Sequence, residues 1–131
     1  MGGEYLQGRY EQQMKKGVLE MLVLKQLEKE ERYGYQLISQ LRDKSGGMFS
    51  LKEGTLYPIL YRLEDDGLLV SRWSQPKGKE VSRKYYVITE EGKEGLKELA
   101  ALWQSFSGQV SKMMEEEARI GKSILRQCLR S

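Results

Sequence analysis

Between Arg72 and Lys84 the chain carries Arg72, Lys77, Lys79, Arg83 and Lys84 against Glu80 alone, a local charge of +4. Lysine and arginine at this density suit an anionic partner, and phosphate is the commonest one. The net charge of the whole chain is only +3, so the placement of the cations matters more than their number. Just upstream, TLYPILYR (Thr55 to Arg62) mixes hydroxyl donors with one arginine. Catalytic chemistry has little to work with. There is no histidine, which removes Ser-His-Asp and Cys-His machinery and the usual imidazole ligands of zinc. The single cysteine, Cys128, allows no internal disulfide and fits a reducing compartment. No carboxylate pair has a catalytic setting, and neither a metal, a cofactor nor an enzyme is expected.

The elements that must position these residues follow from periodicity. With 131 residues, 39% of them hydrophobic and 31% charged, the chain is expected to build one modest core under a polar surface. It shows no apolar run long enough for a membrane span and no signal-peptide pattern at Met1, so a cytoplasmic location without membrane contact is expected.

Residues Met14 to Glu28 place Val18, Leu19, Leu22, Val23 and Leu27 at helical spacing. A second helix is expected from Tyr33 or Gly34, burying Leu37, Ile38 and Leu41 and closed by Gly46-Gly47. A third is expected through Leu56, Ile59, Leu60 and Leu63, ending at Gly67. Ser50-Leu51-Lys52-Glu53 has capping-box spacing for its start, whereas Pro58 favours a start one or two residues later. After Gly67 the period changes to two. Leu68 to Gln75 and Arg83 to Thr89 alternate as strands around a Pro76 to Ser82 turn, a hairpin with a basic tip.

Thr89-Glu90-Glu91 then opens a long final helix reaching about Glu117. Its apolar residues Leu96, Leu99, Trp103, Phe106, Val110 and Met113 step by three and four, a heptad seam. A helix of roughly 40 Å outreaches three short helices and a hairpin, so the seam predicts a second copy of the chain as its partner. The expected class is α+β, mainly α: a winged helix-turn-helix with a long C-terminal dimerisation helix. Its parts are an arm or extra helix over residues 1–13, a DNA-binding domain over 14–89, the dimerisation helix over 90–117 and a basic amphipathic tail over 118–131.

At GVLEMLVLKQL (Gly17 to Leu27), YGYQL (Tyr33 to Leu37), EGTLYPILYRLEDDGLL (Glu53 to Leu69) and RKYYVITEEG (Arg83 to Gly92), the sequence resembles the PadR family of bacterial transcriptional regulators. These stretches lie within residues 17–92, in the family's order and spacing. The resemblance implies a homodimer on a pseudo-palindromic double-stranded operator, with the third helix in the major groove and the wing against backbone. It also implies a repressor that, in many members, a small molecule loosens.

On that basis the DNA-facing set is Tyr33, Thr55, Tyr57, Pro58, Tyr61, Arg62, Lys77, Lys79, Arg83 and Lys84. Four of them have a second reading: Arg83 and Lys84 adjoin a strand, and one of the two either contacts phosphate or merely braces it. Tyr57 either donates to phosphate or packs its ring against the first helix, and Arg62 either reads guanine or pairs with Glu64, Asp65 or Asp66. The third helix is not basic: Glu53, Glu64, Asp65 and Asp66 outweigh Arg62, so phosphate attraction must come from the wing. Trp103 is either interface packing or, as in multidrug-sensing PadR members, one of two symmetry-related rings that sandwich flat aromatic compounds. Phe106, Val110, Met14 and Met21 would line that cavity. In the tail, Arg119, Lys122, Arg126 and Arg130 accompany Ile120, Ile124, Leu125 and Cys128, the spacing of a last helix folding back on the dimer.

Overall fold

The computed structural model describes the backbone of residues 2–130 and the side chains of residues 6–115. The elements run α1 (Gly2–Lys16), α2 (Leu19–Leu27), β1 (Arg32–Tyr33), α3 (Gly34–Lys44), α4 (Glu53–Asp65), β2 (Leu69–Trp73), β3 (Lys84–Ile88) and α5 (Glu90–Arg130). The chain divides between Lys97 and Glu98 into two compact units. The first is a winged helix-turn-helix with a three-stranded antiparallel sheet in the order β1-β3-β2. No helix among the described residues is long and apolar enough to cross a membrane.

The core of the first unit is mostly leucine. Val23, Leu24 and Leu27 of α2, Leu37 of α3, and Leu56, Leu60 and Leu63 of α4 are fully buried, together with Leu69 and Tyr86 of the sheet. The helical residues recur at steps of three and four, so each helix offers the core one side only. Glycine closes two of the helices. Gly46 and Gly47 end α3 at φ 61° and 89°, and Gly67 ends α4 at φ 77°, values that side chains with a Cβ resist. At Gly67 the amide of Leu68 returns to the Leu63 carbonyl at 2.9 Å, a Schellman closure that sets the chain off into β2.

Three expectations need correcting, and one choice left open is resolved. Met14 and Glu28 do not share a helix: α1 stops at Lys16, and Gly17, a poor helix former, lets α2 start afresh at Leu19. The capping box at Ser50 is not made, because the Ser50 hydroxyl donates to the Gly47 carbonyl at 2.7 Å. The later of the two starts holds: α4 begins after Lys52 with no side-chain cap, and Pro58 falls in its second turn. Proline there leaves the Gly54 carbonyl without a helical donor, which Gly54 tolerates because it is exposed to solvent. Ile38 is half-buried, not core. Finally, no break follows Glu117: α5 continues to Arg130, over a stretch that contains no proline. The apolar side expected for Ile120, Ile124, Leu125 and Cys128, and the four tail cations, lie outside the described side chains.

Thr89 joins the sheet to α5 as expected. Its hydroxyl accepts from the Gly92 amide at 3.0 Å and donates to the Gly67 carbonyl at 2.7 Å. Gly92 is seated so closely that a Cβ would strike the Leu68 carbonyl oxygen and lie 2.7 Å from Ile88 Cγ1. At Gly95 a Cβ would meet only the Leu68 side chain, at 3.5 Å. Gly92→Ala is therefore expected to destabilise the fold by about 2 kcal/mol or more. Gly95→Ala, which gains helix propensity without a clash, should raise stability by a few tenths to about 1 kcal/mol. Urea melts of the two variants check the pair.

Tyr86 has no exposed surface, and its hydroxyl has no hydrogen-bond partner among the described residues. Burial, reinforced by Tyr61, Glu64 and Tyr57, pushes its phenol up to about 12. The raised value in the folded state means that neutral Tyr86 lends stability fully below the ordinary value of 10, and that this is lost as pH rises through about 12. Tyr86→Phe should match or exceed wild-type stability at pH 7 by up to about 1 kcal/mol, since an unpaired buried hydroxyl is removed. It should also lose less stability than wild type between pH 10 and 12, as thermal melts will show.

Candidate nucleic-acid interface

Burial of Leu56, Ile59, Leu60 and Leu63 fixes the rotation of α4. Thr55, Pro58, Tyr61 and Arg62 are left exposed, and Tyr57 is half-buried. Tyr57 lies over α3: a Cβ on Gly34 would sit 2.5 Å from its hydroxyl oxygen. Its ring thus packs on the start of α3, and its centroid is 6.1 Å from that of Tyr61. Arg62 has an acidic partner, but not the expected one. Its guanidinium meets Glu20 of α2 at 3.2 Å, because α2 flanks α4 on that side while Glu64 turns to accept from the Ser71 hydroxyl at 2.6 Å. The Arg62 pair is exposed, so it holds the side chain only loosely.

The wing hairpin pairs in register from Leu69↔Ile88 to Trp73↔Lys84, with Ser71 opposite Tyr86 and Arg72 opposite Tyr85. Beyond it the Ser74 amide donates to the Arg83 carbonyl at 2.8 Å, and the Ser74 hydroxyl accepts from the Arg83 amide at 2.9 Å. Alternation sends neighbouring residues to opposite faces. On one face lies a ladder. Glu31 pairs with Arg72, whose guanidinium lies 5.1 Å from the Tyr85 ring centroid. Tyr85 meets Tyr33 edge-on at 5.4 Å. Arg83 stacks 4.6 Å from the Tyr33 ring centroid and donates to its hydroxyl at 3.0 Å. The other face packs on α4, and there Lys84 Nζ lies 5.7 Å from the Tyr61 ring centroid and 5.5 Å from that of Tyr86.

The five wing cations are therefore not equivalent. Arg72, Arg83 and Lys84 are engaged in holding the hairpin to β1 and α4. Lys77 and Lys79, on either side of Gly78 at φ 63°, are exposed and have no ion-pair or cation–π partner among the described residues. Tyr33 and Arg83, far apart in sequence, are brought together. Glu31 and Tyr85 escaped the sequence reading, although the YY pair inside an alternating strand gave a signal that one ring must face each way. In the second unit, Trp103, Phe106, Val110 and Met113 are exposed, and so are Leu102 and Met114. Leu96, expected at the head of the same seam, is instead buried within its own chain, one turn after the tight seat of Gly92. Met14 is exposed on α1, and Met21 is half-buried on α2.

A family model for the transcriptional regulator PadR-like family matches residues 23–98. The chain belongs to that family. Among solved structures, a PadR family transcriptional regulator from Eggerthella lenta is 37% identical, with a TM-score of 0.78 over 88% of this chain and 97% of its own. Bacillus subtilis PadR in complex with operator DNA is 32% identical, with a TM-score of 0.56 over 62% of this chain and 45% of its own. Among curated proteins, the negative transcriptional regulator PadR of B. subtilis is 33% identical over 79 residues, 60% of this chain and 43% of that longer protein. Members of the PadR-like family are transcriptional regulators, not enzymes.

In this PadR-like chain the ladder has a measurable acid sensitivity. The hydrogen bond from Arg72, backed by its charge, holds the Glu31 carboxyl below its ordinary value of 4.5. A lowered value in the folded state lends stability above 4.5, and that stability is lost as pH falls through the folded value. Glu31→Gln should therefore be less stable than wild type at pH 7, and the two should converge as acid protonates Glu31. Urea midpoints measured from pH 7 down to 3 test this.

Proposed function

We propose that the chain is a homodimeric, cytoplasmic repressor that binds a pseudo-palindromic operator in double-stranded DNA. In this reading α4 enters the major groove with Thr55, Pro58 and Tyr61 toward the bases, and Arg62 exchanges Glu20 for a guanine edge or a phosphate. Lys77 and Lys79 hold phosphate at the wing. Tyr33 and Arg83 act together at the loop end of the strands, the phenol orienting a guanidinium that keeps donors to spare. The observation that carries the reading is the selective freedom of the wing-tip lysines beside a helix whose rotation is already set. The operator complex of the B. subtilis relative supports it.

The dimer is drawn from the exposed row Trp103, Phe106, Val110 and Met113 on α5, which has no cover within the described residues. In such a dimer the paired Trp103 rings would receive a flat aromatic effector, with Phe106 and Val110 beside them. One observation favours a different reading, a winged helix that binds protein instead of DNA: α4 has acids in excess and its one cation is paired.

A gel shift on the DNA upstream of the chain's own gene separates the two. A dimer making six to eight phosphate contacts should give a slope of log K against log salt near −5 to −7, and Lys77→Ala with Lys79→Ala should flatten it by about 3.6. An unchanged slope removes the wing from the account, and no shift at all favours the protein-binding reading. Phe106→Glu with Val110→Glu should yield a folded monomer in sedimentation velocity. Quenching of tryptophan emission by planar aromatic cations, retained in Trp73→Phe and lost in Trp103→Phe, tests the effector site.

A further inference from the structure

We infer that Trp73, together with Lys84 and Tyr61, forms a seat for the sugar–phosphate backbone of double-stranded DNA between the recognition helix and the wing. The inference rests on the DNA-binding reading above and extends it to a residue that reading leaves unused. Trp73 is the last residue of β2 and stands directly opposite Lys84 of β3, so the two side chains share one face of the hairpin. That face is the one packed on α4, since it also carries Ser71, bonded to Glu64, and the buried Tyr86. Lys84 Nζ reaches to 5.7 Å from the Tyr61 ring centroid, and Tyr61 in turn neighbours Tyr57 at 6.1 Å. A continuous strip Tyr57–Tyr61–Lys84–Trp73 thus runs from the exposed side of α4 to the root of the wing.

A lone exposed aromatic residue means little by itself. Here the placement gives it meaning. Trp73 is 64% exposed and Tyr61 51%, although both stand on the face where the sheet packs on α4. With α4 in a major groove and the wing on backbone phosphate, as proposed above, the strip between them would face the strand that borders the groove. Its chemistry suits that strand. Lys84 rests on ring faces and has no ion-pair partner among the described residues, so its ammonium can still donate to phosphate; the indole Nε1–H has no acceptor among the described residues, and the two ring faces can lie against deoxyribose. Lys77 and Lys79 continue the positive charge along the same hairpin. The opposite face of the hairpin, by contrast, is occupied by the Glu31–Arg72–Tyr85–Tyr33–Arg83 ladder.

Backbone contacts carry no base information, so Trp73 should strengthen binding to every sequence alike. The test uses the full chain, with the upstream DNA and an unrelated duplex of equal length. Trp73→Ala should weaken binding to both by about tenfold and leave their ratio unchanged, while Trp73→Phe, which keeps a ring, recovers part of the loss. Lys84→Ala should lower the salt slope of a dimer by about 2. The DNA-induced change in tryptophan emission seen for wild type should be diminished in Trp73→Phe. Equal melting midpoints for wild type and Trp73→Ala identify any loss as one of binding; for a variant that unfolds, Trp73→Phe and the emission change decide. Trp73→Ala binding both duplexes as wild type does would overturn the seat while the DNA-binding reading stands. So would a changed sedimentation coefficient with unaltered DNA affinity, which would make Trp73 a contact between copies. Wild type binding neither duplex would overturn both.

Discussion

Everything at the candidate interface depends on the burial of one side of α4. Leu56, Ile59, Leu60 and Leu63 are inserted between α2, α3 and the sheet, and each is worth about 1.5–3 kcal/mol when removed from water. No exposed ion pair in the chain approaches that, since such pairs contribute about 0–1 kcal/mol. The apolar side therefore sets the rotation, and the polar side follows. Thr55, Pro58, Tyr61 and Arg62 face outward because four apolar neighbours cannot. The same core fixes the hairpin through Leu69 and Tyr86, so helix and wing are presented as one surface.

Charge acts on top of this frame. A net charge of +3 is too small to define a partner, and α4 has more acids than bases. What matters is that folding consumes the wing cations unequally. Arg72 is drawn to Glu31, Arg83 to Tyr33, and Lys84 to the rings of Tyr61 and Tyr86. These contacts hold a short, twisted hairpin against β1 and α4, where a three-stranded sheet this small has little packing of its own. Lys77 and Lys79 remain at the tip without even a ring contact, and Lys84 on its rings keeps its N–H donors, for a partner that supplies negative charge. Burial writes the shape of the surface, and pairing decides which of its charges are available.

Much of this was legible in the residues. The 3.6 period of the helices, the switch to a period of two after Gly67, and Thr89 at the head of α5 announce the element order, because each is a local rule with a local cause. Long-range choices were less visible. The break at Gly17 depends on how α2 packs, since one glycine is tolerated in many helices. β1 is two residues long and exists only because β3 pairs with it, so no pattern in Arg32-Tyr33 betrays it. Arg62 lies near three acids in sequence and pairs with a fourth, Glu20, across space. Leu96 continues the heptad seam by spacing, yet the tight seat of Gly92 brings its turn of α5 into the core. In each case the sequence names the residue type, and the partner is settled by tertiary contacts that spacing does not encode.

The exposed apolar row of α5 makes pairing of two chains the central claim, because the proposed dimer would present two copies of α4 to one duplex. Hydroxyl-radical footprinting on the DNA upstream of the gene tests it directly. Two protected half-sites related by two-fold symmetry, with centres about one helical turn or a whole multiple of it apart, are the predicted result. A single unsymmetrical stretch of protection, one half-site long, would contradict it.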